Sequence, residues 1–245
     1  MSNSIKIAMW SGPRNISTAM MRSFENRPDT IVEDEPFYAH YLNQTGLNHP
    51  MRNEIIDSQH LNWDIIANRL CGKIPANKTV WYQKHMAQHN LKNCSLEWTK
   101  NLKNCFLIRN PKEVIFSYTK KFELSSAEQL GFKQQLELFN FLKENDVSNP
   151  PIVIDSKDII NPKETLTQLC NLIGIPFFDE MLNWPSGARK SDGIWGKHWY
   201  KNVESSTGFN AYIPKEIKLS DKHQSIYEEC NESYLKLNNY KIQTL

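Results

Sequence analysis

IKIAMWSGPRNISTAMMRS, Ile5 to Ser23, is the stretch from which the chain is best read. It starts as a short apolar run, breaks into a small polar turn and resumes with helical spacing, which predicts a strand, a loop and a helix. Ser11, Gly12 and Pro13 force a tight turn after the strand, and Asn15, Ser17 and Thr18 are residue types that cap the helix that follows. A helix N-terminus leaves backbone N–H groups unpaired and carries the positive end of the helix dipole, so the turn suits an anion. Arg14 adds a fixed positive charge and a planar set of donors. The same residues also fit an ordinary turn between strand and helix with a surface arginine, and the segment alone leaves both readings open.

Outward from this stretch, short apolar runs alternate with helical patterns. The predicted strands are Lys6 to Trp10, Thr30 to Glu33, Thr79 to Gln83, Cys105 to Ile108 and Pro151 to Ile154. The predicted helices are Thr18 to Glu25, Met51 to Leu70, Pro111 to Tyr118, Gln129 to Glu144 and Pro162 to Ile173, several opened by proline at a first helical position. Such alternation predicts an α/β fold with a parallel central sheet flanked by helices on both faces, a three-layer arrangement. Ligands of these sheets bind beyond the carboxyl ends of the strands, where the exits Ser11 to Thr18, Glu33 to Glu35, Lys84 to His85 and Arg109 would gather. No repeat or long flexible linker divides the chain, so residues 1–245 are read as a single domain. Its stretch from about 177 to 212, rich in Trp, Gly and charge, reads as a long functional loop.

Composition excludes some classes of function. The 245 residues carry a formal net charge of +2, so no global field recruits nucleic acid or an anionic membrane, and any anion site must be local. Five cysteines without a CxxC pair argue against a disulfide framework and a zinc site, and point to a reducing cytoplasm. No leader pattern precedes the first strand, and no apolar run approaches the ~20 residues needed to span a bilayer.

The second informative stretch is CFLIRNPKEVIFSYTKKF, Cys105 to Phe122. Arg109 ends a buried strand, Pro111 opens a helix and Ser117 lies about two turns along it, so Arg109 and Ser117 can close on one oxyanion. The alternative is that Arg109 pairs with Glu113 and Ser117 bonds within its own helix. Together with the first loop, the pattern resembles the sulfotransferases that use 3′-phosphoadenosine 5′-phosphosulfate (PAPS) as donor. SGPRNIST resembles their 5′-phosphosulfate loop, which would make Gly12, Pro13, Arg14, Asn15, Ser17 and Thr18 donor-binding residues. IRNPKEVIFSY resembles their 3′-phosphate motif, with Arg109 and Ser117 on its arginine and serine. WYQKHMAQH resembles the strand exit that carries a lysine and a catalytic histidine, here Lys84 and His85. GARKSDGIWGKHW resembles the basic, glycine-rich loop over the donor and implies Arg189 and Lys190 near the 3′-phosphate. Ile16 and Ser191 stand where many members have glycine, as in a divergent bacterial-type branch.

The resemblance implies a P-loop-like sulfotransferase that moves a sulfuryl group from PAPS to a hydroxyl or amine of a small-molecule or glycan acceptor, leaves 3′-phosphoadenosine 5′-phosphate (PAP), and needs no metal. Charge builds on the leaving phosphate and the transferring oxygens, so positioned cations and amides carry the catalysis, with Arg14 and Lys84 as candidates. The acceptor proton needs a base, either His85 or Glu35 of the exit Glu33-Asp34-Glu35. Residues 37–62 and 120–131 are expected to border the acceptor, with His40 and Tyr41 as candidate lining. His49, His60 and His89 read as structural histidines, and Trp184, Trp195 and Trp199 as packing anchors, Trp195 also as a candidate for the adenine. Two other functions remain: an ATP-using P-loop kinase or hydrolase, disfavoured because the first loop lacks the G-x-x-x-x-G-K-[ST] pattern, and a catalytically silent nucleotide-binding module.

Overall fold

Five short strands form one parallel sheet in the computed structural model, which describes residues 4–146, 148–214 and 216–243. In chain order the elements are β1 (Ile5–Ser11), α1 (Ser17–Glu25), β2 (Thr30–Asp34), α2 (Tyr38–Thr45), α3 (Arg52–Ser58), α4 (Trp63–Cys71), β3 (Val80–Met86) and β4 (Lys103–Ile108). They continue with α5 (Pro111–Tyr118), α6 (Phe132–Asn145), β5 (Ile152–Asp155), α7 (Pro162–Ile173), α8 (Gly196–Trp199), α9 (Lys201–Glu204) and α10 (Gln224–Asn238). The strand order is β2-β3-β1-β4-β5. The chain leaves central β1 toward one edge and later crosses to the other, and a crevice opens at that switch point beyond the strand ends.

Alternation along β1 assigns its two faces. Ile7 and Met9 join Met20, Met21 and Phe24 of α1 and Leu166 and Leu169 of α7, while Ala8 and Trp10 join α4, α6 and α10 on the other face. Both faces are covered, which is the three-layer arrangement the sequence predicts. Gln135 of α6 ties the ends of β1 and β4 together by donating to the carbonyls of Trp10 (3.0 Å) and Leu107 (3.1 Å).

Each predicted strand is present, displaced by a few residues at its ends. The single helix predicted over Met51 to Leu70 is two, α3 and α4, because Asn62 caps a new start by accepting from the Ile65 N–H (3.0 Å). The helix predicted from Gln129 begins at Phe132, after Gly131 turns the chain at φ 72°. Helix α10 is not among the predicted helices, although Ile226, Cys230, Tyr234 and Leu237 keep helical spacing and pack on the core. Among the described residues, no helix is long and apolar enough to cross a membrane.

Gly12 has a packing role. A Cβ there would stand 2.4 Å from the Leu130 carbonyl oxygen, so only glycine lets the first loop pass beneath that backbone. Gly12→Ala is expected to destabilise the protein by about 1–3 kcal/mol, read as a lower urea midpoint at unchanged m-value. An unchanged midpoint would show that the loop moves off Leu130 freely.

Candidate active site

A cavity of about 620 Å³ opens over the carboxyl ends of the strands and is lined by the first loop, the start of α1, α5 and the late segment from Trp195 onward. The turn after β1 is part of its lining. Arg14 sits at φ 58°, a left-handed conformation that strains a non-glycine residue and is kept only where surrounding contacts fix it. Three contacts do so. Arg14 Nε donates to Ser117 Oγ (3.0 Å), Arg109 Nη1 donates to the Arg14 carbonyl (2.7 Å), and Asn15 Nδ2 donates to the Leu107 carbonyl (2.8 Å). Burial, with Arg109 close by, lowers the Arg14 pKa; the guanidinium stays charged, and a neighbouring anion would relieve both effects.

The N-terminus of α1 carries no side-chain cap, since Ile16 occupies the capping position. The sequence expectation that Asn15, Ser17 or Thr18 caps it fails for a local reason: Asn15 spends its oxygen on the Ile16 N–H (2.9 Å) and its amide on β4. The first-turn amides of α1 are thereby left to face the cavity beside Pro13, Ser17 and Thr18.

Arg109 meets both sequence readings at once. It lines the cavity next to Ser117, and its Nε and Nη2 each lie 2.9 Å from Glu113 Oε2. Glu35, which also lines the cavity, sits at φ 41° and presents a buried carboxylate. Lys84 holds it: the ammonium donates to Glu35 Oε1, to Asp34 Oδ1 (2.9 Å) and to the Tyr200 hydroxyl (2.8 Å). Burial opposes charge on both partners. For Lys84 the two carboxylates outweigh it and keep the ammonium charged; for Glu35 burial, with Asp34 adding to it, outweighs Lys84 and raises the pKa.

Residues 5–222 match the family model described as the sulfotransferase domain. The chain belongs to that family. Two curated relatives from Arabidopsis thaliana, branched-chain-amino-acid aminotransferase-like proteins 1 and 2, are 36% and 32% identical over 93% of this chain, which spans 40% of their length. Solved structures share its fold at low identity. The sulfotransferase domain from the curacin biosynthetic pathway aligns over 94% of this chain and 98% of its own (TM-score 0.53, 15% identity). A sulfotransferase from Alicyclobacillus acidocaldarius aligns over 98% and 97% (TM-score 0.54, 10% identity), and mouse sulfotransferase SULT7A1 complexed with PAP over 97% and 90% (TM-score 0.53, 14% identity).

Not every anticipated residue of this sulfotransferase-family chain reaches the cavity. His85 lies on the opposite side of β3 from Lys84 and Met86, because adjacent residues of a strand point to opposite faces. It stacks on Trp10 with ring centroids 4.3 Å apart and contacts Gln83 Oε1 (3.3 Å). Burial, aided by Lys84 and Arg69, brings its pKa down to about 3, so it stays neutral within the core. Arg189 and Lys190 are also elsewhere. Asp192 accepts from Arg22 (2.7 Å) and from the Arg189 N–H (2.8 Å), which pins their turn beside the last turn of α1; Arg189 lies 3.7 Å from Glu25 and Lys190 is exposed. Glu25 is eight residues from the start of α1, roughly 12 Å along its axis. Of the anticipated late loop, only the part from Trp195 onward borders the cavity, and the lining runs on past 212 to Ile213 and Ile217.

The cavity also gathers residues that sequence reasoning set aside. His49 accepts from or donates to the Tyr38 hydroxyl (2.8 Å), and His89 stacks on Tyr38 and Tyr41 with centroids 5.0 and 4.7 Å away. Burial lowers the pKa of both, with His49 and Lys84 adding to the effect on His89. From the expected acceptor borders, Tyr38, Tyr41, His49, Lys120 and Gln129 line the cavity, whereas His40 turns to the Leu61 carbonyl (2.7 Å). Trp195 is buried in the wall and donates to the Tyr200 hydroxyl (3.1 Å). Asp155, at the end of β5, accepts from the Lys157 N–H (3.0 Å) and the Tyr234 hydroxyl (2.6 Å) and so holds a structural turn. Among the described residues, no group of three or more His, Cys, Asp or Glu side chains is placed to hold a metal ion.

Proposed function

We propose that the chain transfers a sulfuryl group from PAPS to a hydroxyl or amine of a small acceptor. The observation that carries this reading is the meeting, on one cavity, of an uncapped helix N-terminus, Arg14, Arg109 and Ser117 with the buried carboxylate of Glu35. The first-turn amides of α1 and Arg14 would hold the 5′ end of the donor, and Arg109 with Ser117 its 3′-phosphate. The acceptor atom takes the sulfuryl group, the bond from sulfur to the bridging phosphate oxygen breaks with its electron pair moving to that oxygen, and the acceptor proton passes to Glu35. Arg14 and the α1 amides stabilise the charge growing on the departing phosphate. Lys84 holds the base in place and takes no part in donor binding, because its three donors are engaged with Asp34, Glu35 and Tyr200.

Calorimetric titration tests the donor. PAP is expected to bind without a divalent metal and more tightly than ADP, and Arg109→Ala to weaken PAP and narrow the difference, since a charge-assisted contact is lost. Equal binding of PAP and ADP by the unaltered protein would overturn the assignment.

A further inference from the structure

Glu113 places an anion on the guanidinium that the PAPS reading assigns to a phosphate. It stands one helical turn after Arg109 in the first turn of α5, with Oε2 taking Arg109 Nε and Nη2 at 2.9 Å each. Its other oxygen, Oε1, accepts from the Tyr212 hydroxyl at 2.6 Å. Tyr212 belongs to the late segment that lines the cavity through residues 208–213, and its bond to Glu113, together with burial, pushes its pKa up to about 12. The remaining guanidinium nitrogen, Nη1, donates to the Arg14 carbonyl. Each guanidinium nitrogen therefore has one partner within the protein, and Glu113 holds the Nε–Nη2 edge, leaving one N–H on each of Nη1 and Nη2 for a ligand. A phosphate approaching Arg109 meets a carboxylate already in hydrogen-bond reach of the same planar group, and two anions at that separation repel in a part-buried site.

We propose that Glu113 sets the discrimination of the donor site for a ribose 3′-phosphate: it competes for Arg109 and ties Tyr212 over the cavity, so a 3′-phosphorylated nucleotide binds by displacing the carboxylate from Arg109 and releasing Tyr212. The inference rests on the PAPS reading above. It explains how a residue on α5 couples donor recognition to the late segment, a coupling that Arg189 and Lys190, held at the far end of α1, do not supply.

The test compares PAP with AMP, which differ by the 3′-phosphate alone, using calorimetry on the full chain and on Glu113→Gln and Tyr212→Phe. Glu113→Gln is expected to tighten PAP by roughly tenfold or more, the scale of relieving a like-charge contact, and to leave AMP within about twofold. Tyr212→Phe keeps the Glu113 charge and removes only the cost of releasing the hydroxyl, so it should raise the PAP to AMP ratio by less than Glu113→Gln does. Amide exchange over residues 205–213, followed without nucleotide, is expected to be faster in both variants. An unchanged or weaker affinity of Glu113→Gln for PAP, or equal shifts for PAP and AMP, overturns the role of Glu113 while a PAP preference in the unaltered protein keeps the donor assignment. If the unaltered protein and Glu113→Gln both bind PAP no more tightly than AMP, the PAPS reading and this inference fail together.

Discussion

Glu35→Gln is expected to lower turnover by roughly 10²–10⁴-fold, the span for losing a general base, while PAP affinity stays close to that of the unaltered protein. The substitution keeps shape and removes the carboxylate that would take the acceptor proton. Lys84 keeps Asp34 and Tyr200 as partners, so the wall of the cavity retains its ion pair. The pH profile carries the sign. A base works deprotonated, and burial raises the Glu35 pKa, so activity should fall as pH drops through a value above the ordinary carboxylate range. Glu35→Gln should lose that limb. His85→Ala should keep it and lower the urea midpoint instead, because it removes a ring stacked on Trp10 in the core. An acidic limb that survives in Glu35→Gln would move the proton acceptor to another cavity group, with His89 the first to examine.

Arg14→Ala is expected to reduce turnover by roughly 10²–10³-fold, the cost of removing one positioned donor from a transition state. Nucleotide binding should change less, since the helix amides and Arg109 remain. The strained backbone at Arg14 supports this role: the chain holds the residue at φ 58° by tying its side chain to Ser117 and its carbonyl to Arg109. The same ties mean that Arg14→Ala also frees Ser117, so single-turnover rates should be read beside PAP affinity. Near-normal single-turnover rates with weakened PAP binding would make Arg14 a ground-state ligand rather than a stabiliser of the departing phosphate.

Much of this architecture is legible in the chain. The apolar runs, the prolines at helix starts and the polar strand exits mark a parallel α/β sheet and its ligand-bearing end, because strand burial and helix initiation are local requirements. The Arg109 to Ser117 spacing is legible for the same reason: helical rise fixes it. The rule that places Lys84 in the cavity also removes His85 from it, since neighbours in a strand face opposite ways.

Local sequence therefore sets each residue's element, face and chemical type. Tertiary structure alone decided which of these groups meet. Glu35 and Lys84 are brought together by pairing of β2 with β3, Tyr200 reaches them from 116 residues beyond Lys84, and Tyr212 reaches Glu113 across 99. Arg189 and Lys190 carry the composition of a phosphate-binding loop, yet Asp192 and Arg22 tie their turn beside the last turn of α1, outside the cavity lining. Likewise His49 and His89 have no sequence spacing that marks them, and share the cavity only because Tyr38 touches both. The physical reason is common to these cases: local periodicity sets where a side chain points, while its partners are chosen by long-range packing of segments whose separation along the chain carries no signal.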